Sequence, residues 1–214
     1  MAISELRDAF LKRLGERLRE HAATAEEALA LRVDRWVDAT TSALRDLGKA
    51  RGLEVAPIRR GVGELGWELV WGRNLSLGYG QLGATSMDEL FRLELVAEIA
   101  ENGLRPGLRG ESAVEEACFD LARLIWARAP EKVLVFGARR EREPANSIEA
   151  LEAGLTSLIE ARDREADYLL VAAPNLLGAR TVAPEDGVIW TKTVSRGRAE
   201  SARTTPLSAL LGSS

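Results

Sequence analysis

Glu94 and Glu98 stand four residues apart in "FRLELVAEIAEN", Phe91–Asn102, among side chains that are otherwise largely apolar. Carboxylates set in apolar surroundings suit hard-cation chemistry. Mg²⁺ takes one or two of them and completes its shell with water and phosphate oxygens. An ion so held can activate water and stabilise the leaving oxygen in phosphodiester cleavage. On a strand, four residues span about 13 Å, so Glu94 and Glu98 cannot share one ion without a third group. Glu68, in "GWELVWG", belongs to a strand expected to pair with this one as a hairpin, and it can supply that group. Glu101 follows as an auxiliary acid.

Other chemistries find no material. His21 is the sole histidine and sits on a charged N-terminal helix, which excludes a Ser-His-Asp triad or a histidine-based metal site. Cys118 is the sole cysteine, so there is neither an intrachain disulfide nor a cysteine-built zinc site. Its setting in "VEEACFDLARLIW" reads as a buried helix position. "GYGQLG", Gly78–Gly83, matches G-x-G-x-x-G in letters only. A dinucleotide fingerprint needs a strand directly before it and a helix directly after. Here the preceding strand ends near Gly72, and the match reads as a loop.

Which elements position the acids depends on Phe91–Asn102. On a strand, Phe91, Leu93, Leu95, Ala97 and Ile99 face one way, and Arg92, Glu94, Val96, Glu98 and Ala100 the other. On a helix the same apolar residues would scatter around the axis. The alternation predicts a strand, entered through a helical turn at Met87–Leu90. The bland alternative pairs Glu94 and Glu98 with Arg92 and other arginines on a solvated sheet face.

The rest of the chain fits an α/β fold with a mixed central sheet. Ile3, Leu6, Phe10, Leu14 and Leu18 mark an amphipathic helix. Thr24–Glu27 is a capping-box pattern opening a second helix, which runs to about Gly52 with Leu29, Val33, Trp36, Val37, Leu44 and Leu47 inward. This N-terminal helical region, 1–52, either packs on the core or forms a homodimer. "LEVAPI" and "ELGWELVWG" are strands, followed by a turn-rich connection. Ser112 caps a helix carrying Val114, Cys118, Leu121 and Ile125, which stops before Pro130. "KVLVFGA" and "DYLLVAAP" are continuous apolar strands of a doubly covered sheet, separated by a helix from Asn146. "GVIWTKTV" is a last, partly exposed strand. The α/β core spans 53–195, and 196–214 reads as a poorly ordered tail.

The 214 residues are 46% hydrophobic and 29% charged with a net charge of −4, an ordinary globular composition that argues against wholesale coating of nucleic acid. No long apolar run or signal-type h-region is present, so no membrane partner is expected and the reducing cytoplasm is the expected compartment. A local basic rim remains open. Arg105, Arg109, Arg139, Arg140 and Arg142 fall in predicted loops and could contact phosphates.

The element order, helix, three strands, helix, strand, helix, strand, resembles the restriction-endonuclease-like, or PD-(D/E)XK, nuclease core. "AEIAEN" followed by "VEEACFDLARLIWARAPEKVLVFGAR" is similar to members in which an acidic strand ending in Glu-Asn leads through a helix to "AP-x-KVLVF". The resemblance covers about Trp36 to Val194. It implies metal-dependent cleavage of DNA with Mg or Mn. Glu68 takes the acidic position of the second strand, Glu98 opens the third-strand motif, and Glu94 or Glu101 assists. The chain departs from the pattern where Ala100 stands in place of lysine, and Lys132 or Arg92 are the nominated substitutes. A catalytically inert protein of the same fold, acting in assembly or regulation, is the alternative. A small-molecule enzyme using "APNLLGAR" as a binding loop is the second.

Overall fold

A computed structural model describes residues 2–57, 69–72, 93–100, 113–137, 148–173 and 187–212. The chain opens with α1 (Ile3–Leu18), α2 (Ala25–Ala30) and α3 (Val33–Ala50). It continues through β1 (Glu54–Pro57), β2 (Leu69–Gly72), β3 (Leu93–Ala100), α4 (Ala113–Trp126), β4 (Glu131–Gly137), α5 (Ile148–Arg162) and β5 (Asp167–Ala173). It closes with β6 (Val188–Ser195), β7 (Arg198–Ala199), β8 (Arg203–Pro206) and α6 (Leu207–Leu211). The strands form one mixed sheet in the order β1-β2-β3-β4-β5-β6-β7, with β8 also on β6. β1, β2 and β3 form an antiparallel meander, and β3, β4 and β5 run parallel with α4 and α5 as crossovers. β6 returns antiparallel. This is the mixed, helix-flanked sheet with an N-terminal helical part that the sequence predicts.

Alternation along the strands builds two cores. Leu95, Ala97, Ile99, Val133, Val135, Leu169 and Val171 pack under α1–α3 and α6. Val96, Leu134, Phe136, Leu170, Ala172 and Trp190 pack under α4 and α5 through Ala117, Leu121, Leu155 and Ile159. The β3 alternation is therefore the predicted one from Leu95 to Ile99, while Leu93 packs with the second cluster. The predicted turn at Met87–Leu90 lies outside the described residues.

Three expectations are corrected. The second N-terminal helix is two, because Leu31 and Arg32 take extended backbone angles. The break lets the buried Trp36 indole N–H donate to the Ala28 carbonyl at 2.9 Å, closing the corner. The Thr24–Glu27 capping box forms as predicted. β6 is not a partly exposed last strand: Ile189 to Val194 are buried, with β7 and β8 paired beyond it. The segment 196–212 is no loose tail. It supplies two strands and α6, whose Leu207 and Leu211 are buried in the first core. α6 lies so close to α1 that a Cβ on Gly15 would meet the Leu210 carbonyl oxygen at 2.4 Å.

Ile3, Leu6, Phe10, Leu14, Leu18, Trp36, Leu44 and Leu47 are buried within this one chain, against the sheet and one another. The apolar stripe of these helices is thus packed on the sheet within the chain. Among the described residues no helix is long and apolar enough to cross a membrane.

Candidate functional site

β3 runs between β2 and β4, so its side chains are sandwiched between the helical layers. Glu98 sits opposite Leu134 on the α4 side and is 0% exposed. A carboxylate with no access to water is stable as an anion only with a charged or donor partner. That partner comes from α4: the Arg123 guanidinium is ion-paired with Glu98 and also meets Asp120 Oδ1 at 2.9 Å, one helical turn back. Asp120 and Arg123 are themselves buried. The cluster therefore sets two carboxylates around one guanidinium beneath a helix, and Glu98 is not on a solvated sheet face.

Glu94 shares that face of β3 but is half-buried. Four residues of strand separate it from Glu98, about 13 Å, so β3 does not bring the two acids together. Glu68 and Glu101 lie outside the described residues, as do Arg92, Arg105, Arg109, Arg139, Arg140 and Arg142. Their attachment points are described. Glu68 immediately precedes Leu69, which pairs with Ala97, and Glu98 immediately follows Ala97. Pairings Pro57↔Leu69, Leu69↔Ala97, Ala100↔Phe136 and Gly137↔Ala173 place these residues along one end of the sheet. The segments carrying Arg105 and Arg109, and Arg139, Arg140 and Arg142, leave from that end, after Ala100 and Gly137.

Lys132 is on the same face, one strand over, opposite Val96. Its ammonium, 2% exposed with its side chain, is spent elsewhere: on Asp163 Oδ2 at 2.5 Å, the Ile125 carbonyl at 3.3 Å and the Tyr168 hydroxyl at 3.3 Å. The Tyr168 hydroxyl in turn donates to Asp163 Oδ2 at 2.6 Å. Burial pulls the Lys132 ammonium below the ordinary lysine value, against the opposing pull of Asp163. Burial alone would raise the Asp163 carboxyl, but the hydrogen bonds from Lys132 and Tyr168 outweigh it and hold Asp163 below the usual carboxylate value. Burial and the Asp163 charge push the Tyr168 phenol up. Lys132 is thus engaged with Asp163 and Tyr168; among the described residues the cation against Glu98 is Arg123.

Arg123 and Asp120 were missed by reading along the strands. Their signal is in "ACFDLARLIW": an Asp and an Arg at i,i+3 on a helix whose neighbouring residues, Ala117, Leu121 and Leu124, are all buried. Polar residues on a core-facing stripe need a partner across the interface, and Glu98 is the acid that the next layer offers.

Among the described residues no three histidine, cysteine, aspartate or glutamate side chains are grouped as a metal site. By donor type, Glu98 and Asp120 are hard oxygen ligands that suit Mg²⁺ or Mn²⁺. No known protein family, curated protein or solved structure matches the chain.

Proposed function

We propose that the chain is a metal-dependent phosphodiesterase of restriction-endonuclease-like architecture acting on DNA. The observation that carries this reading is the Arg123 guanidinium against Glu98. An acid on the third strand is accompanied by a cation, as in the resembled motif, with the cation supplied by α4 instead of by Ala100. The meander entering a parallel pair, and the exit of the arginine-bearing segments from the Glu98 end of the sheet, support it. Glu98 with Glu68 and Glu101 would hold Mg²⁺ or Mn²⁺, and the ion would supply Lewis-acid activation of water. Arg105, Arg109, Arg139 and Arg140 would position phosphates. Arg123 would hold the Glu98 carboxylate in place and balance its charge.

The complete burial of Glu98 favours a second reading, a non-hydrolytic domain of the same architecture in which Glu98, Arg123 and Asp120 hold α4 on the sheet. Assembly through the N-terminal helices does not fit it well, because their apolar stripe is already buried. The two readings separate in a plasmid-nicking assay. Hydrolysis predicts nicking with Mn²⁺ or Mg²⁺ that stops with EDTA and in Glu98→Gln, with the helical circular dichroism retained. The non-hydrolytic domain predicts no nicking by the unaltered protein and no melting shift on adding Mn²⁺. Nicking that survives Glu68→Gln and Glu98→Gln together would move the active centre elsewhere and overturn the assignment.

A further inference from the structure

The Arg123 guanidinium meets two buried carboxylates, and the two contacts differ in kind. The one with Glu98 crosses from α4 to β3, and ties two layers together. The one with Asp120, at 2.9 Å, stays within α4 at i,i+3 spacing and ties nothing new to the sheet. Holding α4 on β3 takes one acid and one cation. The second acid carries its own desolvation cost, several kcal/mol for a buried carboxylate, so its presence needs a separate reason.

Metal binding at Glu98 supplies one. A hard cation takes carboxylate oxygens directly, and the guanidinium stands against that same carboxylate. Two cations crowded on one buried acid repel, so Arg123 has to give up its hold as Glu98 takes an ion. A guanidinium does not shed its proton in proteins, and one left in the core without an anion costs several kcal/mol. Asp120 removes that obstacle. It is a buried anion already in contact with Arg123 and on the same helix, so the guanidinium keeps a charged partner without leaving α4. Its five N–H donors suffice for both acids before the exchange and for Asp120 after it.

We propose that Asp120 is a positioning residue that receives the Arg123 guanidinium when Glu98 takes Mg²⁺ or Mn²⁺. The assignment rests on the nuclease reading of Glu98 as a metal ligand, and it gives Asp120 no contact with the ion. The complete burial of Glu98 then has a place in binding: uptake of the ion is an exchange of one cation for another inside the core.

Mn²⁺ binding to the full chain, read from the electron paramagnetic resonance of the free ion, tests this without relying on activity. The unaltered protein should bind saturably and Glu98→Gln should not. Asp120→Asn should weaken binding about tenfold, the size of one charge-assisted hydrogen bond. Deleting an anion near a cation weakens binding by Coulomb attraction as well, so the deciding comparison is made in Arg123→Gln. There Asp120→Asn should change the affinity by less than about twofold, because Asp120 acts through Arg123. A tenfold loss that persists in Arg123→Gln would make Asp120 a direct ligand or a bulk charge, and would overturn the assignment. If Arg123→Gln does not fold, the side-chain Nε–H nuclear magnetic resonance signal of Arg123, assigned by its loss in Arg123→Lys, decides instead. It should move on adding Mg²⁺, and an unmoved signal at saturating Mg²⁺ overturns the exchange. Absence of saturable Mn²⁺ binding by the unaltered chain would sink the nuclease reading and this inference together. Glu98-dependent binding that Asp120→Asn leaves unchanged would sink this inference alone.

Discussion

Asp163→Asn isolates the charge that keeps Lys132 protonated in the core. The substitution preserves shape and one acceptor oxygen but removes the anion 2.5 Å from an ammonium whose side chain is 2% exposed. Breaking a buried pair by deleting one partner typically costs about 3–5 kcal/mol. An independent ceiling comes from the escape route, in which Lys132 folds neutral. Deprotonating a lysine of ordinary pKa at pH 7 costs about 4–5 kcal/mol. The retained amide acceptor and the 13% exposure of Asp163 reduce the loss, so about 2–4 kcal/mol is expected at pH 7. The pH dependence identifies the cause. If Lys132 releases its proton on folding in the variant, the unfolded chain binds more protons. Stability must then rise with pH, by up to about 1.4 kcal/mol per unit between the folded-state pKa and the ordinary lysine value. Urea unfolding at pH 7 and pH 9 should therefore show the gap to the unaltered protein narrowing by about 2 kcal/mol. Measurements stay below pH 10, where ionisation of Tyr168 in the unfolded chain would add a fall of its own, because its folded-state pKa is raised. Adding Lys132→Met to Asp163→Asn should recover much of the loss. A loss under about 1 kcal/mol that is equal at both pH values would refute the claim that Asp163 holds a charged Lys132 in the core.

Arg123→Ala should cost about 3–5 kcal/mol in urea unfolding by removing the guanidinium that meets two buried carboxylates, and a loss under about 1 kcal/mol would show that the cluster is wet. Asp163, held below the ordinary carboxylate value, contributes stability that is full above about pH 4 and lost as pH falls through its folded-state pKa. The acid limb of a thermal-melt profile should accordingly be shallower in Asp163→Asn. Gly15→Ala gains helix propensity of about 1 kcal/mol, but its Cβ must displace the Leu210 carbonyl. Melting should fall and proteolysis should reach 207–212 sooner, and an unchanged or raised melting temperature would mean that α6 does not sit on α1.

The sheet was readable because its strands are repetitive. Val133–Gly137 and Leu169–Ala173 are apolar on every position, and the apolar residues of the alternating stretch Leu95–Ile99 sort cleanly into the two cores. What stayed hidden depended on partners distant in sequence. Nothing in "SARTTPLSALLGSS" tells a loose tail from a strand and helix until β6 offers an edge and Gly15 leaves room for Leu210. The break at Leu31 closes through a hydrogen bond from Trp36 to Ala28 that periodicity does not see. The acid Glu98 was legible as chemistry, but its cation was sought two residues along or on the next strand. Arg123 is 25 positions away in sequence and reaches Glu98 only because α4 crosses β3.

The two faces of the sheet carry unlike loads, and that contrast bears on function more than any single residue does. Under α1–α3 the inward positions of β3, β4 and β5 are largely aliphatic, with Glu131 at the edge paired to Arg51 at the end of α3. Under α4 and α5 the inward positions of neighbouring strands include Glu98, Lys132, Tyr168 and Lys192, met by Arg123, Asp163 and Glu152 from the helical layer. Buried ion pairs are poor stabilisers, since hydrophobic residues of similar volume often do as well or better. A chain that packs one face of its sheet with aliphatic residues shows that its α4–α5 layer could have been held the same way. The charges on that face are better explained by what they fix in place. Arg123, itself against Asp120, holds the Glu98 carboxylate beneath α4. Lys132, Asp163 and Tyr168 join the segment after α5 to the starts of β4 and β5. Each is a test of the same argument. Under the nuclease proposal, Glu98→Gln should abolish nicking, and Asp163→Asn, at the other end of the sheet, should leave nicking in place in the folded protein. Loss of nicking from both substitutions would mean that the charged layer acts as a single structural unit.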